Sequence, residues 1–160
     1  MNIKSNKGFS YIEVMIVLGI ASIIVAFSSI SIGLVSRSNI NKAGDKLTSA
    51  ISEARMVSMT KGEEKGKIVI SFSNGNYYYT IDGQTKKFAS NPITISVLAD
   101  DGSVLETVTA SHSVTIKFNR NTGGVNNSNP YNTYGKLKIG NNTKSVDYKI
   151  YRVTGRFVLE

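Results

Sequence analysis

Apolar and polar residues follow three different patterns along the chain. The first is an uncharged, proline-free run of 22 residues, 14–35, with the sequence VMIVLGIASIIVAFSSISIGLV. At ~1.5 Å per residue a helix of this length spans roughly 33 Å, which is enough to cross the hydrocarbon core of a bilayer. Lys4 and Lys7 precede the run, and this basic flank predicts that the N-terminus stays cytoplasmic. The pattern therefore predicts a membrane-spanning helix with the remaining chain on the outer side.

The second pattern covers residues 36–62, where apolar residues recur at steps of three and four with charged residues between them. This spacing is typical of an amphipathic helix. No proline lies between Phe9 and Thr60, so we predict one long helix that ends at Lys61-Gly62. The predicted buried stripe consists of Ile40, Ala43, Leu47, Ala50, Ile51, Ala54 and Val57.

The third pattern begins after residue 66 and consists of short alternating segments separated by turn residues. Asn74-Gly75 between two such segments is a strong hairpin signal, and eight or nine strands are predicted in all. Residues 119–134 form a polar segment rich in Gly and Asn, which predicts an exposed loop. We therefore expect an α+β fold, in which a long N-terminal hydrophobic and amphipathic helix packs on a β-rich C-terminal head, either a curved sheet or a small sandwich.

Composition excludes several kinds of chemistry. The chain has no cysteine and one histidine, His112, so disulfides, thiolate metal sites and histidine clusters are excluded. It also lacks a paired-carboxylate motif, a nucleophile elbow, a phosphate loop and metal-ligand spacing. We therefore expect no enzymatic activity, no cofactor and no metal. The net charge of +8 permits anionic partners without demanding them.

Glu13 is a carboxylate at the edge of the apolar run, where moving it toward the bilayer centre costs roughly 2.5–3.5 kcal/mol. It either stays at the headgroup level or pairs with a cation inside an apolar assembly. A free amine at Phe9, made by cleavage after Gly8, would be such a cation. A secretory signal has its cleavage site after the apolar region, whereas Gly8 precedes it, so the apolar segment would survive processing.

Residues 8–14 (GFSYIEV), followed by the apolar run, resemble the class III signal of type IV pilins and pseudopilins. The resemblance implies cleavage after Gly8 by prepilin peptidase, N-methylation of Phe9, and a role for Glu13 in docking the subunit into a filament. It divides the chain into a leader at 1–8, a transmembrane and polymerisation helix at 9–35, an amphipathic stalk helix at 36–62, and a globular head at 63–160. Removal of the leader leaves 17 basic against 11 acidic side chains, near +6.

A finer resemblance concerns minor pseudopilins of the GspH/FimT-like family. Residues 50–58 (AISEARMVS) are similar to a stalk stretch of that family, and residues 118–123 (FNRNTG) and 153–156 (VTGR) are similar to its Phe-x-x-x-Gly turn and late Gly-Arg element. This resemblance implies a position at or near a filament tip. Some members take part in DNA uptake through basic residues near the Gly-Arg element, but here no second arginine closely follows Arg156.

The sequence thus predicts a structural assembly subunit, a minor pilin or pseudopilin, of a type IV pilus or a related secretion or competence pseudopilus. Its expected partners are other pilin subunits, prepilin peptidase and the cytoplasmic membrane, which the subunit would leave for a surface filament. One alternative is a major pilin. Another is a minor pilin that binds DNA through the basic residues Lys136, Lys138, Arg152 and Arg156, with Tyr131, Tyr134, Tyr148 and Tyr151 interspersed. Such residues also decorate the solvent face of ordinary strands.

Overall fold

The computed structural model describes residues 10–126, 134–141 and 144–160. For residues 27–37 it describes the backbone alone. Helical backbone, α1, extends over Tyr11–Lys61. The strands in these ranges are β1 Ile68–Ser73, β2 Asn76–Ile81, β3 Gln84–Ser90, β4 Thr94–Ala99, β5 Val104–Thr107, β6 Val114–Phe118, β7 Val125–Asn126, β8 Tyr134–Gly140, β9 Ser145–Tyr151 and β10 Arg156–Leu159.

The chain divides into two compact units, Met1–Arg37 and Ser38–Glu160. In the first unit the helical side chains of residues 11–26 are all exposed. In the second unit the helical residues 38–61 pack on the strands. The expected long N-terminal helix packed on the head is therefore wrong: the two helical stretches belong to different units, and the β-rich part consists of two five-stranded antiparallel sheets.

The difference has a physical reason in the side-chain pattern. Residues 38–61 carry one apolar stripe, which a sheet can cover, and polar residues elsewhere. Residues 14–26 are apolar or small around the whole helix and so present no single stripe of that kind. Across the residues that the structure describes, no helix combines the length and the apolar character needed to cross a bilayer.

The ten described strands form two sheets. The first has the order β3-β2-β1-β6-β7 and the second has the order β10-β9-β8-β4-β5. Each pairs its buried residues across neighbouring strands, as Ile68 does with Ile116 in the first sheet and Ile95 with Ile139 in the second. Both sheets thus present one apolar face to the interior.

Two turns of the first sheet have the chemistry that their sequences predict. Asn74 and Gly75 connect β1 to β2, and Asp82 and Gly83 connect β2 to β3. All four have positive φ, between 49° and 79°. Positive φ at both central residues defines the type I′ turn, whose twist matches that of the flanking strands. The hairpin prediction at Asn74-Gly75 is confirmed by the pairing of Ser73 with Asn76.

The core is one cluster to which α1 and both sheets contribute. The predicted helix stripe is confirmed from Ile40 to Ala54, where its six members are at most 1% exposed, and Val57 is partly buried against the core. Gly44 lies on the same helix beneath the hydroxyl of Tyr148, in β9, where any side chain would collide with the ring. The glycine therefore serves close approach of the helix to the second sheet.

Part of the loop predicted at residues 119–134 forms a short strand and a hydrogen-bonded turn. Val125–Asn126 pair with β6, and the Glu63 side chain accepts hydrogen bonds from the Arg120 N–H and the Asn126 side-chain amide, both at 3.1 Å. Residues 127–133 of this segment lie outside the described residues. The first half of the segment is held to the end of α1.

Ion pairs surround the end of α1. Glu64 accepts from Lys117 Nζ at 2.7 Å and from Lys67 Nζ at 2.9 Å. These hydrogen bonds, Lys117 first, lower the pKa of Glu64 from 4.5 to about 2. The Asp82 carboxylate lies 2.9 Å from Lys61 Nζ and 3.2 Å from Lys65 Nζ. Hydrogen bonds from these lysines, Lys61 first, lower the pKa of Asp82.

Glu64→Gln should flatten the acid dependence of stability. A carboxylate with a lowered folded pKa contributes stability that is fully present above its unfolded pKa and is lost as pH falls through its folded pKa. For Glu64 that window runs from about pH 4.5 down to about pH 2. Thermal midpoints measured across it should therefore fall less steeply in the variant than in the parent chain. Glu53→Gln is a matched control, because it removes the same charge from a longer ion pair, in which Glu53 Oε1 lies 3.7 Å from Lys86 Nζ. Equal flattening in both variants would contradict a specific contribution of Glu64.

Candidate functional site

The predicted assembly residue, Glu13, lies in the first turn of α1. The Ser10 N–H donates to Glu13 Oε2 at 2.9 Å, and the Val14 N–H donates to the Ser10 carbonyl at 3.2 Å. This is one of the two hydrogen bonds of a capping box, in which the side chain of the third helical residue accepts from the backbone N–H of the N-cap residue. Gly8 and Phe9, the predicted processing and methylation residues, lie outside the described residues.

Glu13 thus has a local structural contact that sequence reasoning missed. The signal was present as Ser10 followed three residues later by a glutamate before an apolar run. The Glu13 residue is exposed, so the capping bond leaves its charge accessible. Two roles, capping and charge pairing, are therefore open to the same carboxylate.

The helical residues that follow Glu13 expose large apolar side chains to solvent. Their exposed fractions run from 45% at Val14 to 67% at Val25, and Tyr11, which precedes Glu13, is 80% exposed. Glu13 is the only charged residue between Tyr11 and Ala26. Full burial of one such side chain contributes about 1.5–3 kcal/mol, so this segment gains much free energy from any apolar surroundings.

Strand register determines where the predicted DNA-binding residues lie. Lys136 and Lys138 alternate with buried residues along β8, and Lys136 lies opposite Lys149 of β9. Arg156 of β10 lies opposite Tyr151 of β9. We call Lys136, Lys138, Lys149, Tyr151 and Arg156 the outer face of the second sheet.

Acidic residues neutralise part of this outer face. Lys136 Nζ lies 2.6 Å from Glu160 Oε2, and the hydrogen bond raises the pKa of Lys136 and lowers that of Glu160. Lys138 lies opposite Asp147 in the register. In the described ranges no ion pair involves Lys138, Lys149 or Arg156.

Arg152 and most of the tyrosines are placed differently from the prediction. Arg152 follows β9 in a turn, and its guanidinium lies 2.6 Å from Asp100 Oδ2. Tyr134 and Tyr148 are buried, at 6% and 4% exposure, and cannot stack on bases. Tyr131 lies outside the described residues. The structure therefore brings together Lys136, Lys138 and Arg156 but leaves Arg152 outside that face.

Lys149 is the cation that the predicted set lacked. Its Nζ lies 5.9 Å from the centre of the Tyr151 ring, within reach of a cation–π contact. The signal was the alternation of Val146, Tyr148 and Ile150, which assigns Lys149 to the opposite side of the strand. Its position beside Lys136 followed only from the pairing of β8 with β9.

The two sequence elements at 118–123 and 153–156 contact each other. Gly155 has φ +63°, and a side chain there would collide with the Gly123 carbonyl and approach Phe118 Cδ1 at 3.2 Å. The Val125 N–H also donates to the Arg152 carbonyl at 2.8 Å. Since the Ser58 hydroxyl donates to the Phe118 carbonyl at 2.5 Å, this junction joins α1, the first sheet and the second sheet.

In the part of the chain that the structure describes, no group of three histidine, cysteine, aspartate or glutamate side chains is placed to hold a metal ion. Compared with protein-family models, with curated proteins and with solved structures, the chain shows no match in any of the three comparisons. Functional interpretation therefore depends on the residues and their geometry.

Gly155→Ala should destabilise the head much more than Gly83→Ala. Both glycines have positive φ, +63° and +79°, so both substitutions incur about 1–2 kcal/mol of backbone strain. Gly83 has open space around it, whereas Gly155 faces backbone, so overpacking should add about 1–3 kcal/mol at Gly155 only. Urea unfolding followed by tyrosine fluorescence would measure both. Equal losses would show that the junction can shift to accept a methyl group.

Proposed function

We propose that this protein is a structural subunit, a minor pilin or pseudopilin, of a type IV pilus or a related secretion or competence pseudopilus. The observation that carries the proposal is the exposed apolar segment Tyr11–Ala26, whose only charge is Glu13 in its first turn. The residues around Gly8, which resemble a prepilin cleavage signal, support the same assignment. In this proposal the subunit resides in the cytoplasmic membrane before assembly and in a surface filament or pseudopilus afterwards.

The apolar segment would be covered by the corresponding segments of neighbouring subunits. A surface that is apolar on all sides can be shared among several neighbours, which a one-sided stripe cannot. Association would then exclude water from these side chains in a filament interior. The second unit, with its stripe already covered by two sheets, would remain outside as the head.

Glu13 would set the axial position of each subunit. Inside an apolar filament an unpaired carboxylate costs several kcal/mol, so Glu13 requires a cation at a defined place. The amine of Phe9, freed by cleavage after Gly8, supplies that cation from a neighbouring subunit. Subunits in a wrong axial position leave the carboxylate unpaired and are rejected.

Glu13→Gln should block incorporation into filaments as strongly as Glu13→Ala. Glutamine keeps the capping bond to the Ser10 N–H but removes the charge, whereas alanine removes both. Immunoblots of sheared filaments and of the retained cell fraction would measure incorporation in native cells. Ser22→Ala is a matched control, since Ser22 is an exposed polar residue of the same segment whose hydroxyl donates to the Gly19 carbonyl at 2.8 Å.

The same filament sample tests processing. The N-terminal peptide should start at methylated Phe9, as read by mass spectrometry. Incorporation of Glu13→Gln at parental levels would refute charge pairing and leave helix capping as the role of Glu13. A peptide that retains residues 1–8 would refute the pilin assignment. Abundance decides between the two kinds of pilin: a trace amount beside a dominant pilin supports the minor role, and the main species supports the alternative of a major pilin.

A second candidate function, DNA binding, is favoured by the outer face of the second sheet. Lys138, Lys149 and Arg156 share that face by register and take part in no ion pair among the described residues. Tyr151, 48% exposed, is the one described ring of the predicted tyrosine set that is open to base stacking. This function is compatible with a minor pilin.

Replacing Lys138, Lys149 and Arg156 by glutamine should reduce the salt dependence of DNA binding. Each lost phosphate contact lowers the slope of log K against log salt by about 0.7 for single strands and about 0.9 for duplex DNA, so three contacts lower it by about 2–3. Lys136→Gln combined with Arg152→Gln should change the slope less, because both cations are already paired with carboxylates. Fluorescence anisotropy at several salt concentrations measures the slope, and an unchanged slope in the triple variant rules out this surface.

A further inference from the structure

A groove on the head, separate from the surfaces discussed so far, is lined by three lysines. Lys42 and Lys46 come from α1, Lys87 comes from β3, and the groove has a volume of about 380 Å³. Asn39 and Asn91 lie at the same groove. We call this the lysine groove. Its volume is within the range of small-ligand sites, about 300–1,000 Å³.

The three lysines place three positive charges at one groove. Lys42 and Lys46 are four residues apart on one helix, so their side chains are neighbours and their charges repel. Across the described ranges, none of the three forms an ion pair. By contrast, Lys86, the residue next to Lys87, lies 3.7 Å from Glu53. Asp45, which follows Gly44 in α1, lines a different groove with Tyr148.

The other lining groups complete a mixed surface. Asn39 and Asn91 provide neutral hydrogen-bond donors, whereas the Ser90 hydroxyl already donates to Asn76 Oδ1 at 2.9 Å. Phe88 and Ile93 are 5% and 6% exposed and form apolar walls that belong to the core. Fixed apolar walls with converging donors are the usual construction of a small-ligand site. Here the donors are cationic or neutral, so the matching ligand is an anion rich in acceptor oxygens.

We propose that the lysine groove binds a single phosphate group, either free phosphate or the phosphate of a lipid headgroup. Three ammonium groups more than offset the charge of one phosphate, which is at most about −2 near pH 7, and lysine binds phosphate as a compact, multiply donating cation. The bound anion also removes the repulsion between Lys42 and Lys46, so binding stabilises the head. This site is independent of the assembly role and of the outer face of the second sheet.

The test uses the full chain and a triple variant, Lys42→Gln, Lys46→Gln and Lys87→Gln. Isothermal titration with inorganic phosphate at constant ionic strength should show affinity reduced tenfold or more, because charged hydrogen bonds are lost. The matched control replaces Lys61, Lys65 and Lys86, which removes the same charge from ion-paired positions. The control should bind phosphate as the parent does. The thermal midpoint of the groove variant without ligand should be no lower than that of the parent, since repulsion is relieved.

A second arm identifies the source of the phosphate. Binding to vesicles of phosphatidylglycerol but not phosphatidylcholine, lost in the groove variant and kept in the control, supports a lipid headgroup. Binding of inorganic phosphate with the same variant pattern supports free phosphate. Equal losses in both triple variants would overturn the proposal, because bulk charge would then explain them. Binding of a DNA oligonucleotide through these lysines, without phosphate or vesicle binding, would overturn it as well.

Discussion

The fold of the second unit depends on one constraint: the apolar stripe of residues 38–61 has to serve two sheets at once. The stripe mixes large residues, Ile40, Leu47 and Ile51, with the small residues Ala43, Ala50 and Ala54, and all are almost fully buried. Small residues let backbone or aromatic rings approach, and large ones fill the space between layers. A wider or more uniform stripe would fit one sheet better and the other worse.

The last turns of α1 show how the two sheets are fixed relative to that helix. Ser58 is buried and donates its hydroxyl to the Phe118 carbonyl at the end of β6. Gly155, just before β10, packs on Gly123, just before β7. The hydrogen bond from the Ser58 side chain, the positive φ of Gly155 and the contact between the two glycines therefore occur at one place. The positions of both strand ends follow from this junction rather than from the core alone.

Much of this second unit could be predicted from sequence where the signal is local. The three- and four-residue spacing after Ile40 predicted the buried stripe, and Asn74-Gly75 predicted a hairpin, because both depend on neighbouring residues. The expectation that the whole helix packs on the head was wrong, since unbroken helical periodicity does not determine which residues share a compact unit. The division into two sheets depends on long-range pairing, such as β1 with β6, which no local pattern specifies.

The candidate sites show the same limit for charge. A net charge of +8 suggests a basic surface, but the ion pairs with Glu64, Asp82, Glu160 and Asp100 neutralise many of the cations. Sequence alternation could assign Lys138 to a solvent face, yet it could not show that Arg152 is paired with Asp100, 52 residues away. For the same reason Lys42, Lys46 and Lys87 form one groove only in the folded chain. The cations that remain available to a partner are therefore those that the fold leaves outside the ion pairs of the described residues, and this property is decided by packing rather than by composition.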